Sequence, residues 1–194
     1  MEDTGMSTSR VEAFSDGVMA IIITLMAFQV QRPEGYDFKA LRASVPSLLV
    51  FILSFVLIGI YWNNHHHLLR VTKRVTPAIM WANLHLLLWL CLVPIVTAWI
   101  GAFPMKPLPT ASYATVCLFA GAAYWLLTRK IIAAHGTDSD IGRAIGGALK
   151  GNLSVVAYAA AIPLAFLSPL ITLGLCVLVA VMWIIPDRRL DTPR

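Results

Sequence analysis

The residues of this chain that could do chemistry lie in or beside long apolar runs. "RVEAFSDGVMAIIITLMAFQV", Arg10 to Val30, starts like a capped soluble helix, turns almost wholly apolar after Asp16, and still carries Ser15 and Asp16. An ionised side chain at membrane depth costs several kcal/mol, so Asp16 needs protein partners. "YWNNHHHLLR", Tyr61 to Arg70, supplies donors in Trp62, Asn63, His65, His66 and His67, and Asn83 and His85 follow in the next apolar run. A network of Arg10, Ser15, Asp16, Trp62, a histidine (His65 or His66) and Asn83 would satisfy the carboxylate without solvent and tie the first span to the second and third. Three successive histidines suggest a metal, but helix neighbours point about 100° apart and a chelating pair is normally spaced i, i+4, so no metal is expected. Buried carboxylates and imidazoles are also what proton pathways use, and a relay through Asp16 and His66 stays open beside the static network. No nucleophile–base constellation accompanies these groups, and the chain does not read as an enzyme.

The elements that must position these residues are membrane helices. Among 194 residues, 58% are hydrophobic and 13% charged, and the mean hydropathy is +0.75; a soluble domain of this length cannot hide so much apolar surface. Runs able to cross a hydrocarbon core, at roughly 20 residues each, are Val11–Val30, Val45–His65, Thr76–Ile100, Ala111–Ala134, Leu149–Leu167 and Pro169–Pro186. The expected fold is an all-α integral membrane protein with residues 1–194 forming one six-helix unit. Pro163 and the break at Leu167-Ser168-Pro169 leave a re-entrant fifth segment as an alternative. The first nine residues hold Glu2 and Asp3 but no Lys or Arg, so the first span is not read as a signal peptide.

Six spans place both termini on one side. The segments sharing that side carry Arg10, then Arg70, Lys73 and Arg74, then Arg129, Lys130, Arg143 and Lys150, then Arg188, Arg189 and Arg194; the other side holds only Arg32, Lys39, Arg42 and Lys106. By the positive-inside rule both termini are cytoplasmic. The net charge of +5 then reflects topology and contact with anionic lipid, not a nucleic-acid surface. Cys91, Cys117 and Cys176 fall singly in different spans and read as packing residues. The prolines at 104, 107 and 109 stiffen the outer loop Gly101–Thr110, the loop His135–Asp140 offers a capping aspartate, and the pairs Gly142/Gly146 and Gly147/Gly151 have the spacing of close helix contact.

At about 100° per residue, Phe14, Gly17, Ile21, Thr24, Leu25 and Phe28 form one stripe of the first span, bulky and apolar with a single hydroxyl, while Asp16 points nearly opposite. Ordinary helix packing would explain such a stripe on its own. The residues also resemble a family. Arg10, Phe14, Ser15, Asp16 and Gly17 reproduce the Arg-x-x-x-Phe-Ser-Asp signature of the lysosomal potassium channel family, transmembrane protein 175, in its single-repeat bacterial form. The match continues through Ala20-Ile21, Thr24-Leu25, Tyr61-Trp62, His65-His66, Asn83, Pro94 and Thr97. It covers the first three spans by residue and the last three only by length and hydropathy.

The resemblance implies a potassium channel of the bacterial cell membrane, a homotetramer of six-helix subunits whose first helices surround the axis. Its apolar constrictions fall on Ile21, Leu25 and Phe28, with Thr24 at the family's hydroxyl ring; Phe28 stands where an aliphatic residue such as leucine is more usual. Arg10, Phe14, Ser15, Asp16, Trp62, His65, His66 and Asn83 then form a structural polar network. The permeant ion is potassium, with other monovalent cations admitted, and no cofactor is implied beyond it. The chain lacks Thr-Val-Gly-Tyr-Gly, so the carbonyl filter of ordinary potassium channels is absent and selection must come from side chains. A ring of Ile21 would gate by dewetting, and Thr24 hydroxyls would replace part of the ion's water shell, giving modest potassium preference. A proton-conducting or proton-coupled transporter using Asp16 and the histidines is the alternative, although paired repeats of the transporter kind are not visible.

Overall fold

The computed structural model describes residues 7–136 and 149–184, with the side chain of Leu149 left aside. Within them the chain forms six α-helices and no strand: α1 (Thr8–Phe28), α2 (Phe38–Val71), α3 (Pro77–Ala102), α4 (Pro107–His135), α5 (Leu149–Leu167) and α6 (Pro169–Ile184). The aspartates of the 4–5 loop, the pair Gly142/Gly146, Gly147 and the tail arginines lie outside the described residues. α1 to α5 each contain a stretch long and apolar enough to cross a membrane, and the described part of α6 is shorter. This is a multi-pass membrane protein.

Local chemistry sets the ends. The Asp37 carboxylate accepts from the Ala40 N–H at 2.8 Å and starts α2, and the Thr76 hydroxyl accepts from the Ile79 N–H at 3.3 Å ahead of Pro77, which opens α3. α2 therefore runs for 34 residues, about 50 Å, far beyond the expected 45–65. Its polar ends lie outside the apolar run, but a helix stops where its capping stops and not where hydropathy falls. The outer connection is likewise shorter than its prolines suggest: α3 continues to Ala102, and Pro107 and Pro109 occupy the first turn of α4, where a missing N–H costs no helix bond. α5 passes through Pro163 as one continuous helix rather than a re-entrant pair. The turn at Ser168 is closed by the Thr172 hydroxyl, which donates to the Ala161 carbonyl at 2.8 Å.

The helices form two groups. α1 packs on α2 and α3; α4, α5 and α6 pack on one another; α3 against α4 is the main seam between the groups, helped by contact of α2 with α6. Ile79, Leu86, Leu90, Val93 and Ile100 bury one face of α3 at helical spacing. Across this seam Ser54 of α2 hydrogen-bonds Thr97 of α3 at 2.7 Å and Tyr113 of α4 at 3.1 Å, a buried hydroxyl cluster that satisfies itself. Cys117 and Cys176, solitary along the sequence, are both buried and meet where α4 packs on α6; Cys91 is exposed.

At the end of the bundle opposite Thr8, Gly101 lets α3 press against α2. A Cβ on Gly101 would stand 2.9 Å from the Ser47 hydroxyl oxygen, the atom that accepts the Gln31 N–H at 3.2 Å. Gly101→Ala is expected to displace that hydroxyl and lower unfolding free energy by about 1 kcal/mol. A thermal melt in detergent measures this, with Ser47→Ala as the variant that should lose the same amount without the steric push.

Candidate functional site

α1 is two-faced. Val11, Ser15, Met19, Ile22 and Met26 recur every three or four residues and are buried against α2 and α3. The opposite stripe is uncovered by the chain's own residues: Phe14 is 54%, Ile21 61%, Leu25 50% and Phe28 84% exposed. Gly17 and Thr24 share that face. The Thr24 hydroxyl donates to the Ala20 carbonyl at 2.9 Å. Its proton is thereby used on the backbone, and its oxygen lone pairs are left to face outward.

On the packed face a polar chain crosses three helices. The Ser15 hydroxyl donates to the Val11 carbonyl at 2.8 Å and accepts from the Asn83 amide nitrogen at 2.9 Å, and the Asn83 amide oxygen pairs with His65 Nε2 at 2.7 Å. With the amide nitrogen donating to Ser15, the Asn83 oxygen accepts, and His65 carries its proton on Nε2. All three side chains are buried, so α1, α3 and α2 are joined at one depth by groups that have no water to turn to.

A second contact joins α1 to α2 nearer the end. Glu12 Oε1 lies 2.6 Å from His66 Nδ1, and the His66 ring is stacked on Trp62 with centroids 6.4 Å apart. Of the residues expected to act together, the structure thus brings Ser15, His65 and Asn83 into one network and Trp62 and His66 into another. Arg10 and Phe14 are exposed and join neither within a single chain. Asp16 is also outside both: among the described residues its Oδ1 is buried without a hydrogen-bond partner, as is His65 Nδ1. The reason is helix phase. Ser15, one position earlier, is the residue aimed at Asn83, and Asp16 is turned about 100° away. His85 is apart as well, its Nε2 accepting from the Trp89 indole at 2.9 Å.

Glu12 is the member that sequence reasoning missed. It lies four residues before Asp16 and so on the same face, which is the signal that was available. Its place one turn in from the start of α1 gave no sign of need, because a carboxylate there can reach water. The hydroxyl cluster of Ser54 and Tyr113 carried no signal either, since serine and tyrosine in apolar helices are common.

Comparison with known proteins follows the same elements. Residues 10–94, from α1 into α3, match the family model described as endosomal/lysosomal potassium channel TMEM175. A potassium channel of Chryseobacterium sp. (strain P1-3) is 44% identical over 186 residues, covering 96% of this chain and 97% of that one. The human endosomal/lysosomal proton channel TMEM175 is 32% identical over 114 residues, 53% of this chain and 23% of the human protein. The crystal structure of a lysosomal potassium-selective channel TMEM175 homolog from Chamaesiphon minutus superposes with a TM-score of 0.75 at 28% identity, covering 95% of this chain and 98% of that chain. With its signature on α1, its polar links on α2 and α3, and relatives matched over nearly its whole length, this chain belongs to the TMEM175 channel family.

Proposed function

We propose that the protein is a potassium-permeable cation channel of the bacterial inner membrane, a homotetramer with cytoplasmic termini in which four copies of α1 line the pore. Residues 1–194 act as one six-helix subunit, with lipid around the assembly and no nucleic acid or cofactor involved. Ile21, Leu25 and Phe28 form stacked apolar rings, of which Ile21 is the gate, and Thr24 supplies the selecting hydroxyls. The observation that carries this reading is the uncovered stripe of α1. Its other face is fully engaged by α2 and α3, so these bulky side chains need either lipid or symmetry mates. A narrow ring of them expels water and blocks a hydrated ion until the helices move apart.

The hydroxyl geometry supports the selective role. With its proton on the Ala20 carbonyl, each Thr24 offers an oxygen to a passing cation. Four such oxygens replace a partial hydration shell, which potassium gives up more readily than sodium. Thr24→Val keeps the shape and removes the oxygen, so potassium preference over sodium is expected to fall toward unity while conduction persists. Reversal potentials under bi-ionic conditions report it, and an unshifted reversal potential would take Thr24 out of the selection step.

A second reading is favoured by the donor–acceptor chain from His65 through Asn83 to Ser15, by the nearby Asp16 and Glu12–His66 pair, and by the human relative's description as a proton channel. In it, these groups pass protons. Single-channel recording in planar bilayers with opposed potassium and proton gradients tests both: currents reversing at the potassium potential support the first reading, and currents following the proton gradient alone support the second.

A further inference from the structure

We propose that His135 is a proton-released clasp on the segment that joins α2 to α3 and steadies the base of α1. His135 ends α4, and its Nδ1 lies 2.9 Å from the Ile131 carbonyl one turn back. A carbonyl only accepts, so Nδ1 carries the ring proton. Nε2 then presents its lone pair to two backbone amides, accepting from the Lys73 N–H at 3.1 Å and the Arg74 N–H at 3.2 Å. Those amides lie past the end of α2, in irregular chain before the Thr76 cap of α3, where no helix carbonyl serves them. The imidazole works as an acceptor only while it is neutral.

Immediately before these amides sits Thr72. Its own N–H is turned back to the Leu69 carbonyl at 3.0 Å, its hydroxyl donates to the Leu68 carbonyl at 2.8 Å, and its carbonyl accepts from the hydroxyl of Thr8, the first residue of α1, at 3.2 Å. The path from the end of α4 to the start of α1 is thus one imidazole, two amides and one carbonyl. Protonation would set an N–H against two N–H groups, and the local charges do nothing to soften it. Arg70 in the last turn of α2, Lys73 and Arg74 in the segment itself, and Arg129 and Lys130 on α4 are all cations. No acidic group forms an ion pair with His135 among the described residues; Asp138 and Asp140 lie outside them. The titratable pair on the neighbouring helices is Glu12 with His66. Histidine is the side chain that can gain a proton within the physiological range, and a proton on Nε2 would open the clasp. Thr8 is then left tied to a segment free to move.

The segment's response is measured first by hydrogen exchange at the Lys73 and Arg74 amides of the full chain, corrected for the intrinsic effect of pH on exchange, at pH 8 and pH 5.5. Wild-type protection is expected to fall by about tenfold on acidification. His135→Gln, which cannot titrate, should lose the pH dependence, and His135→Lys should be unprotected at both values; melting curves confirm that each variant is folded. Equal corrected protection in the wild type at both pH values, or a His135→Gln protein that keeps the wild-type drop, overturns the proposal. The consequence for conduction rests on the channel reading above, and liposome flux with the cytoplasmic face acidified tests it separately. Flux present without an exchange change defeats the clasp alone, and an exchange change in protein that carries no ion current defeats the channel reading alone.

Discussion

Liposomes reconstituted with Ile21→Asn are expected to leak potassium about tenfold faster per unit of folded protein than wild type, in the absence of any stimulus. Ile21 lies on the face of α1 that its own chain leaves largely uncovered, so the substitution disturbs little packing within the subunit. In the proposed tetramer, four isoleucines around a closed pore would leave no room for hydrogen-bonded water, and four amides would hold it. The competing account, in which Ile21 packs on another helix or on lipid, predicts the reverse. A buried amide without a partner costs on the order of 1–3 kcal/mol, so yield would fall and flux would not rise. Flux normalised to monodisperse protein separates the two, and unchanged flux would remove Ile21 from the pathway.

Asn83→Leu is expected to be the most damaging single change to the fold. The amide is the shared partner of two buried groups, giving a hydrogen to Ser15 and taking one from His65. Leucine has a similar bulk and neither function, so a hydroxyl oxygen and an imidazole N–H would both be left in an apolar interior. At about 1–3 kcal/mol for each orphaned group, the loss is a large share of the 5–15 kcal/mol or so that holds a typical domain together. The melting temperature in detergent should drop sharply. The double variant Ser15→Ala with Asn83→Leu should recover part of it, because one of the orphans is then gone. A leucine variant that melts with the wild type would show that water reaches these groups and that they are not the tie between α1, α2 and α3.

What the sequence revealed and what it hid follow from the range of the interactions. Helix existence and the two faces of α1 are local properties, fixed by apolar content and a 3.6-residue period, and both could be read directly. Ser15, His65 and Asn83 could be named because a polar side chain in hydrocarbon must find a partner. Which partner it finds depends on rotation of each helix about its own axis. That is why Ser15 and not Asp16 meets Asn83, and why Glu12 reaches His66 across 54 positions of sequence. The ends of α2 were hidden for a different reason: helix length follows capping and neighbours, whereas hydropathy marks only the part immersed in lipid. His135 was invisible because its partners are main-chain amides, which every residue possesses.

The length of α2 has a mechanical consequence. It is fastened to the α1 segment at two places, through His66 on Glu12 at one end and through Ser47 on the Gln31 amide at the other. On α2 the two fastenings are about 28 Å of helix apart; on the other side Glu12 lies within α1 and Gln31 just past its end at Phe28. α1 is therefore strung along α2 as along a stave, anchored above and below the stretch that holds Ile21, Thr24 and Leu25. A rod held at both ends cannot swing like a door or slide like a piston without releasing an anchor. The motions left to it are bowing of the span between the anchors and travel of the two helices as one rigid body, so in the proposed channel any stimulus that opens the pore would have to act on the pair.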